Sequence, residues 1–129
     1  MPKLRILLVE DEVIVAWMLK EMLDELDYYV LGPATSVVEA LTIIETQAID
    51  AVVLDLNLNG QMSYPVADTL IARGVPFMLS TAYRQDRLPE AYRTLPILQK
   101  PYHLSELAEK LRQLLARHVD SGHGERQAS

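Results

Sequence analysis

The chain has 129 residues, half of them apolar, which is enough for one domain with its own hydrophobic core. Its formal net charge of −6 argues against broad electrostatic binding to nucleic acid or to an anionic membrane surface, so we expect neither partner. The absence of cysteine excludes disulfides and thiolate metal sites, and the absence of a signal-like leader or a long apolar run leads us to expect a cytoplasmic protein.

Short apolar runs alternate with longer stretches of helical periodicity, which is the pattern of βαβ units. The predicted strands are residues 4–9, 28–31, 51–54, 75–80 and 95–98. The predicted helices are residues 12–26, 64–73, 88–94 and 104–118, and one that runs to 47 from a cap at Thr35 or Ser36. This order predicts a single α/β domain over residues 1–119 with a parallel sheet, followed by a disordered tail over 120–129.

Glycine and proline mark several of the predicted boundaries. Gly32-Pro33 is expected to end the second strand. Pro65 suits the first turn of the third helix, and Gly74 suits its end. Pro89 and Pro96 flank the fourth helix, so we expect that helix to be short.

Charged residues stand where three of the predicted strands end. Glu10 and Asp11 follow the first strand, Asp55 follows the third, and Lys100 follows the fifth. Because parallel strands open their carboxyl ends on one edge of the sheet, these side chains should meet there. A carboxylate at the tip of a buried strand is costly, and structure alone seldom requires it. The pattern therefore predicts a functional site at this edge.

The chemistry of that site depends on relieving the repulsion between its carboxylates. Two unit charges about 4–5 Å apart repel by roughly 3–4 kcal/mol at an effective dielectric near 20. Mg²⁺, or alternatively Mn²⁺, suits such oxygen ligands and commonly bridges them to phosphate. Lys100 would add a second positive charge, and Thr81, or the adjacent Ser80, would add a hydroxyl. These are the groups needed to receive a phosphoryl group and hold its oxygens.

Four motifs in this order resemble the receiver domain of two-component response regulators. They are Val9-Glu10-Asp11-Glu12, Leu54-Asp55-Leu56-Asn57, Ser80-Thr81-Ala82 and Gln99-Lys100-Pro101. The resemblance covers about residues 3 to 118, and the stretches 64–67 and 76–77 resemble in part a group of stand-alone, single-domain bacterial receivers. It implies a flavodoxin-like, doubly wound (βα)5 fold with five parallel strands in the order 2-1-3-4-5.

The resemblance also implies a role for each residue of the site. Asp55 would be the phosphoacceptor and would share in binding Mg²⁺. Asp11 and the main-chain carbonyl of Asn57 would bind the ion directly, and Glu10 would bind it through water. Thr81 would be the switch hydroxyl, and Lys100 the amine that pairs with the phosphate. Ile97 stands where many receivers carry an aromatic switch residue, so the usual output movement is not expected.

The implied partners are a sensor histidine kinase or a histidine phosphotransfer protein as phosphodonor, and a downstream protein that the sequence does not identify. Such a protein would signal by changed partner binding or by passing the phosphate on. It would support Mg²⁺-dependent self-phosphorylation and dephosphorylation without being a turnover enzyme.

The first helix contains seven consecutive apolar residues, 13–19, which cannot all face the core. Resemblance to receivers implies that this helix docks the phosphodonor, and we expect Ile14 and Met18 to form the docking patch. A self-association surface, or packing by the tail, is the alternative use of this helix.

Three other functions remain open at this stage. A haloacid-dehalogenase-like phosphatase also uses an aspartyl phosphate with Mg²⁺, but that chemistry wants a second acid two residues after the nucleophile, where Asn57 stands. A flavodoxin-like FMN carrier would have its phosphate repelled by the acidic first loop. An unphosphorylated protein-interaction module with the same fold would leave the site unused.

Overall fold

We describe a computed structural model of the chain, covering residues 2–82, 87–100 and 102–128. In chain order the elements are β1 (Arg5–Val9), α1 (Val13–Glu25), β2 (Tyr29–Ala34), α2 (Val37–Thr46), β3 (Ala51–Asp55), β4 (Asn57–Leu58), β5 (Gln61–Met62), α3 (Tyr64–Arg73), β6 (Phe77–Thr81), a 3-10 helix (Glu90–Tyr92), β7 (Ile97–Gln99) and α4 (Leu104–Ala128). No helix in this part of the chain combines the length and apolar character needed to cross a membrane.

Five of the strands form one parallel sheet in the order β2-β1-β3-β6-β7. This is the predicted order 2-1-3-4-5, because β6 and β7 are the fourth and fifth strands of the sheet. The flavodoxin-like α/β fold is therefore confirmed. Helices α1 and α4 cover one face of the sheet, and α2 and α3 cover the other.

Alternation along the strands assigns each buried side chain to one of the two faces. In β3, Val53 packs on the α1/α4 side and Leu54 on the α2/α3 side. In β6, Met78 and Leu79 alternate in the same way. All five β3 residues are buried, including Asp55 at the tip.

Helices α2 and α3 follow the predicted signals closely. The Ser36 hydroxyl caps α2 by accepting the Glu39 N–H at 3.1 Å. Helix α3 has the predicted bounds, with Pro65 in its first turn. Gly74 ends it with φ 69°, in the left-handed region that glycine favours.

The second strand does not end at Gly32-Pro33 as predicted, because β2 continues through them to Ala34. Its register against β1 shifts between Leu7 and Val9, so the extra residue forms a bulge. Gly32 has φ 94°, and a Cβ there would lie 2.6 Å from the Ala34 nitrogen and 2.7 Å from the Leu8 carbonyl oxygen. Only glycine fits this bulge. Beyond it, the Ala34 carbonyl accepts the Glu10 N–H at 2.9 Å.

A short hairpin, which was not predicted from the sequence, follows Asp55. Strands β4 and β5 pair antiparallel, with Asn57 opposite Met62 and Leu58 opposite Gln61. The two residues between them, Asn59 and Gly60, both have positive φ, at 53° and 83°. Asn-Gly is the usual sequence of a two-residue hairpin turn, so the signal was present in the sequence.

The predictions for two helices are wrong, one in its type and length and the other in its end. The α-helix expected at 88–94 is a 3-10 helix of three residues, Glu90–Tyr92, because Pro89 and Pro96 leave no room for a regular α-helix. The final helix does not end near His118 but runs to Ala128. Gly122 and Gly124 weaken a helix but, unlike proline, do not block it. Residues 119–128 contain no proline. The division between domain and tail at residue 119 stays a prediction.

Candidate phosphoacceptor site

Three carboxylates meet at the edge of the sheet where β1 and β3 end. Glu10 and Asp11 follow β1, Asp55 is the last residue of β3, and one ligand oxygen from each lies within 4.8 Å of the others. Glu10 and Asp55 are buried, whereas Asp11 is partly exposed. The sequence prediction that these residues meet is confirmed. Hard oxygen donors in this arrangement could hold a divalent cation.

Lys100, which follows β7, reaches into the same cluster. Its Nζ lies 3.1 Å from Glu10 Oε1 and 3.4 Å from Asp55 Oδ2. Its main-chain N–H donates to the Thr81 carbonyl at 2.8 Å, which holds the Lys100 main chain beside the end of β6. The lysine therefore offsets part of the carboxylate charge, as predicted.

The turn after Asp55 holds the carboxylate in place. Asp55 Oδ1 accepts the Asn57 N–H at 3.2 Å. The fully buried Ser63 hydroxyl lies 2.7 Å from the Asp55 carbonyl oxygen and 3.1 Å from that of Leu56. Sequence reasoning missed Ser63, because a serine just before a helix suggests a cap, yet this hydroxyl makes no cap bond. It secures instead the main chain that carries Asp55.

The hairpin connects Asp11 to the Asp55 turn. The Asn59 N–H donates to Asp11 Oδ2 at 2.9 Å, across 48 positions of sequence. The Asn57 side chain is engaged within the hairpin, where its Oδ1 accepts the Gly60 N–H at 2.8 Å. The predicted role of Asn57 needs only its main-chain carbonyl, and this arrangement is compatible with it.

The comparisons with known proteins agree with this geometry. The response regulator receiver domain family matches residues 6–112, most of the chain. The chain belongs to the receiver domain family.

The solution structure of SdrG from Sphingomonas melonis Fr1 is 40% identical to this receiver, with a TM-score of 0.78, covering 88% of this chain and 97% of SdrG. The receiver domain of sensor histidine kinase PA1611 from Pseudomonas aeruginosa PAO1, solved with a magnesium ion coordinated in its active site cleft, is 27% identical. Its TM-score is 0.78, and the match covers 88% of this chain and 98% of that one.

A curated relative, the transcriptional regulatory protein PdtaR of Mycobacterium tuberculosis, is 30% identical over 107 residues. That match covers 80% of this chain and 52% of PdtaR. The receiver thus spans about half the length of the curated relatives that it matches.

Both candidate hydroxyls of the receiver lie at the end of β6 and are buried. Ser80 is the register partner of Asp55 on the neighbouring strand, and its main-chain carbonyl accepts the Leu56 N–H at 3.3 Å. Thr81 follows it and binds the Lys100 main chain. The structure brings both residues to the site, and the choice of switch hydroxyl between them stays a prediction.

The electrostatics of the site centre on Glu10. Burial, together with a hydrogen bond to Asp55 and the charge of that residue, raises the pKa of Glu10 to about 7. Burial lowers the pKa of Lys100, but the charges of Asp55 and Glu10 outweigh it and raise that pKa above its ordinary value. Without a cation, Glu10 is therefore partly protonated near neutral pH, while Lys100 stays charged.

We expect the affinity for a divalent cation to rise with pH through the pKa of Glu10. A cation near Glu10 must displace its proton, so binding should strengthen by up to about tenfold between roughly pH 6 and pH 8. Calorimetric titration with Mg²⁺ in this range measures the effect. Glu10→Gln, which carries no such proton, should flatten the pH dependence, and a slope equal to that of the wild type would contradict the assignment.

Helix α1 exposes the apolar residues that were predicted for docking. Ile14 is 74% exposed and Met18 is 45% exposed, while Ala16, Leu19 and Leu23 are buried in the core. The neighbouring Val13 and Trp17 are exposed as well. The patch therefore exists beside the acidic edge, and its use in docking stays a prediction.

Proposed function

We propose that this receiver accepts a phosphoryl group on Asp55 from a phosphohistidine of a sensor histidine kinase or a histidine phosphotransfer protein. The observation that carries the proposal is the buried Asp55 carboxylate, which lies within reach of two further carboxylates and a lysine. The receiver would signal by changed binding to a downstream protein or by relaying the phosphate. It acts in the cytoplasm as a phosphoacceptor, without turnover of a substrate.

The transfer is a displacement at phosphorus. An oxygen of the Asp55 carboxylate forms the new P–O bond as the P–N bond to the donor imidazole breaks, and the electron pair of that bond returns to the imidazole nitrogen. The Asn57 N–H on Oδ1 and the Lys100 amine near Oδ2 hold the carboxylate for this attack.

The residues around Asp55 suit a magnesium ion. Glu10, Asp11 and Asp55 would supply carboxylate oxygens, with Glu10 acting through water, and Asn57 would supply its main-chain carbonyl. When bound, Mg²⁺ offsets the negative charge of the carboxylates and of the phosphoryl oxygens. The magnesium ion coordinated in the related PA1611 receiver supports this choice of cation.

Lys100 and Thr81 would hold the transferred group. Lys100 leaves its shared position between Glu10 and Asp55 and pairs with a phosphoryl oxygen. Thr81 donates its hydroxyl to another oxygen, and Ser80 is the alternative donor. The exposed Ile14 and Met18 dock the helices of the phosphodonor, which brings its histidine to the acidic edge.

The test is labelling by a small phosphodonor, acetyl phosphate or phosphoramidate, with and without Mg²⁺ or Mn²⁺. Intact mass should rise by one phosphate per chain, and only when the cation is present. A haloacid-dehalogenase-like phosphatase would instead consume the donor in many rapid turnovers, and a pure interaction module would take up nothing. Either of these results would replace the proposal.

The inferred ligand set predicts different effects of two conservative changes. Asp11→Asn should weaken Mg²⁺ binding more than Glu10→Gln, because Asp11 is the inferred direct ligand and Glu10 binds through water. Calorimetry at about pH 8, above the pKa of Glu10, compares the two variants. Equal losses of affinity would remove the distinction between the direct and the water-mediated ligand.

A further inference from the structure

The hairpin formed by β4 and β5 contacts two parts of the proposed magnesium site. Asn57, the first residue of β4, is the residue whose main-chain carbonyl would bind the ion. Asn59, in the turn, donates its main-chain N–H to Asp11 Oδ2 at 2.9 Å. Because Asp11 is also an inferred direct ligand, the hairpin connects one ligand of the ion to another.

The hairpin is anchored in the hydrophobic core. Leu58 is 2% exposed and belongs to the apolar cluster between the sheet and helices α2 and α3. Met62, the register partner of Asn57, packs against the same cluster. The Asn57 side chain closes the turn, since its Oδ1 accepts the Gly60 N–H at 2.8 Å. The turn therefore presents the Asn59 N–H to Asp11 from a fixed base.

Asp11 gains a defined orientation from this contact. It is partly exposed and lies in the loop between β1 and α1. An exposed side chain can adopt several rotamers, and a cation that binds it must bear the cost of fixing one of them. A hydrogen bond that already restrains the carboxylate reduces this cost. Carboxylates that bind metals are commonly held in this way by a second partner.

We propose that the hairpin is a positioning element for the cation, in which the Asn59 main-chain N–H holds the Asp11 carboxylate where it binds Mg²⁺. The inference rests on the proposed function, because it concerns the same magnesium site. The turn presents this N–H while both of its central residues have positive φ, 53° at Asn59 and 83° at Gly60. Asparagine and glycine are the residues that adopt this conformation most readily.

Gly60→Ala should disturb the turn without a steric clash. A Cβ at Gly60 would meet no atom within 4 Å, so the change acts through the backbone conformation alone. Calorimetric titration with Mg²⁺ should show an affinity lowered by about three- to tenfold. This is at or below the low end of the effect of losing a hydrogen-bond partner of a metal ligand, because the N–H is displaced and not removed.

Gly74→Ala is the matched control. Gly74 also has positive φ, at 69°, and a Cβ there would likewise meet no atom within 4 Å. It ends α3 and precedes β6, at the edge of the sheet opposite the acidic site. Both variants should lower the unfolding temperature, because both strain a left-handed residue. Only Gly60→Ala should weaken Mg²⁺ binding, and this difference separates positioning from a general loss of stability.

Two changes at Asn59 test whether the main chain is the part that acts. Asn59→Val and Asn59→Gly both keep the N–H, but valine resists positive φ whereas glycine adopts it readily. Asn59→Val should weaken Mg²⁺ binding as Gly60→Ala does, and the conservative Asn59→Gly should restore it. Without Mg²⁺, exchange of the Asn59 amide hydrogen, followed by NMR, should be slow in the wild type and faster in Gly60→Ala.

The outcomes distinguish this inference from the proposed function. If the wild type binds Mg²⁺ and Gly60→Ala binds it as tightly as Gly74→Ala does, the inference is overturned and the proposed function stands. A loss in Asn59→Gly as large as in Asn59→Val, or equally fast exchange of the Asn59 amide in wild type and Gly60→Ala, would also overturn it. If the wild type binds no Mg²⁺, the inference fails, and labelling by acetyl phosphate still tests the proposed function on its own.

Discussion

Asp55→Asn is expected to remove phosphate uptake from acetyl phosphate completely, in the presence of Mg²⁺ at any concentration. Asp55 is the carboxylate at the tip of β3. The asparagine side chain lacks the negatively charged oxygen that attacks phosphorus. The fold should persist, since the amide oxygen can still accept the Asn57 N–H. Intact mass spectrometry after incubation with the donor measures the loss.

Asp50→Asn is the matched control for this change. Asp50 precedes the same strand at its other end, where Oδ2 accepts the Arg5 N–H at 2.7 Å, and an amide oxygen can replace it. This control should take up phosphate as the wild type does. A base-labile phosphate that persists in Asp55→Asn would show that another carboxylate is the acceptor.

Beryllofluoride mimics the bound phosphoryl group. Lys100→Ala should lower the affinity for beryllofluoride by about ten- to a hundredfold, the cost expected for losing a hydrogen bond to a charged group. Mg²⁺ binding should not weaken, because removing the amine from between Glu10 and Asp55 leaves more negative charge for the cation. Fluorescence of Trp17, or calorimetry if Trp17 is insensitive, follows both titrations.

Lys20→Ala provides the comparison for charge alone. Lys20 is an exposed lysine of α1 that pairs with Asp24 at 3.2 Å, so its removal changes the net charge equally without touching the site. It should leave beryllofluoride binding unchanged. If Lys100→Ala binds beryllofluoride like Lys20→Ala, Lys100 does not pair with the phosphoryl group.

The meeting of Glu10, Asp55 and Lys100 could be predicted because strand periodicity and parallel topology alone bring strand ends to one edge. Other features depended on packing that a sequence pattern does not encode. Gly32 follows an apolar run and was taken to end it, whereas the close approach of Leu8 requires a glycine within the strand. The Ser63 hydroxyl binds the main-chain carbonyl of Asp55 and does not cap the helix that follows Ser63 in sequence.

The hairpin after Asp55 was missed for a different reason. Asn59-Gly60 is a strong hairpin signal, but strands of two residues are too short to show alternation of apolar side chains. As a result, the link between Asn59 and Asp11 was not expected. The end of α4 was misjudged because polar residues and two glycines suggested a tail, although neither forbids a helix.

The central claim is that Asp55 itself carries the phosphoryl group, and trapping the acyl phosphate tests it most directly. Wild-type protein labelled in the presence of Mg²⁺ is reduced with borohydride, which converts a phosphorylated aspartate to homoserine, and is then digested and sequenced by mass spectrometry. We predict homoserine at Asp55 alone, and none when Mg²⁺ is omitted. Homoserine at Asp11 or at any other carboxylate, with Asp55 unchanged, would contradict the claim.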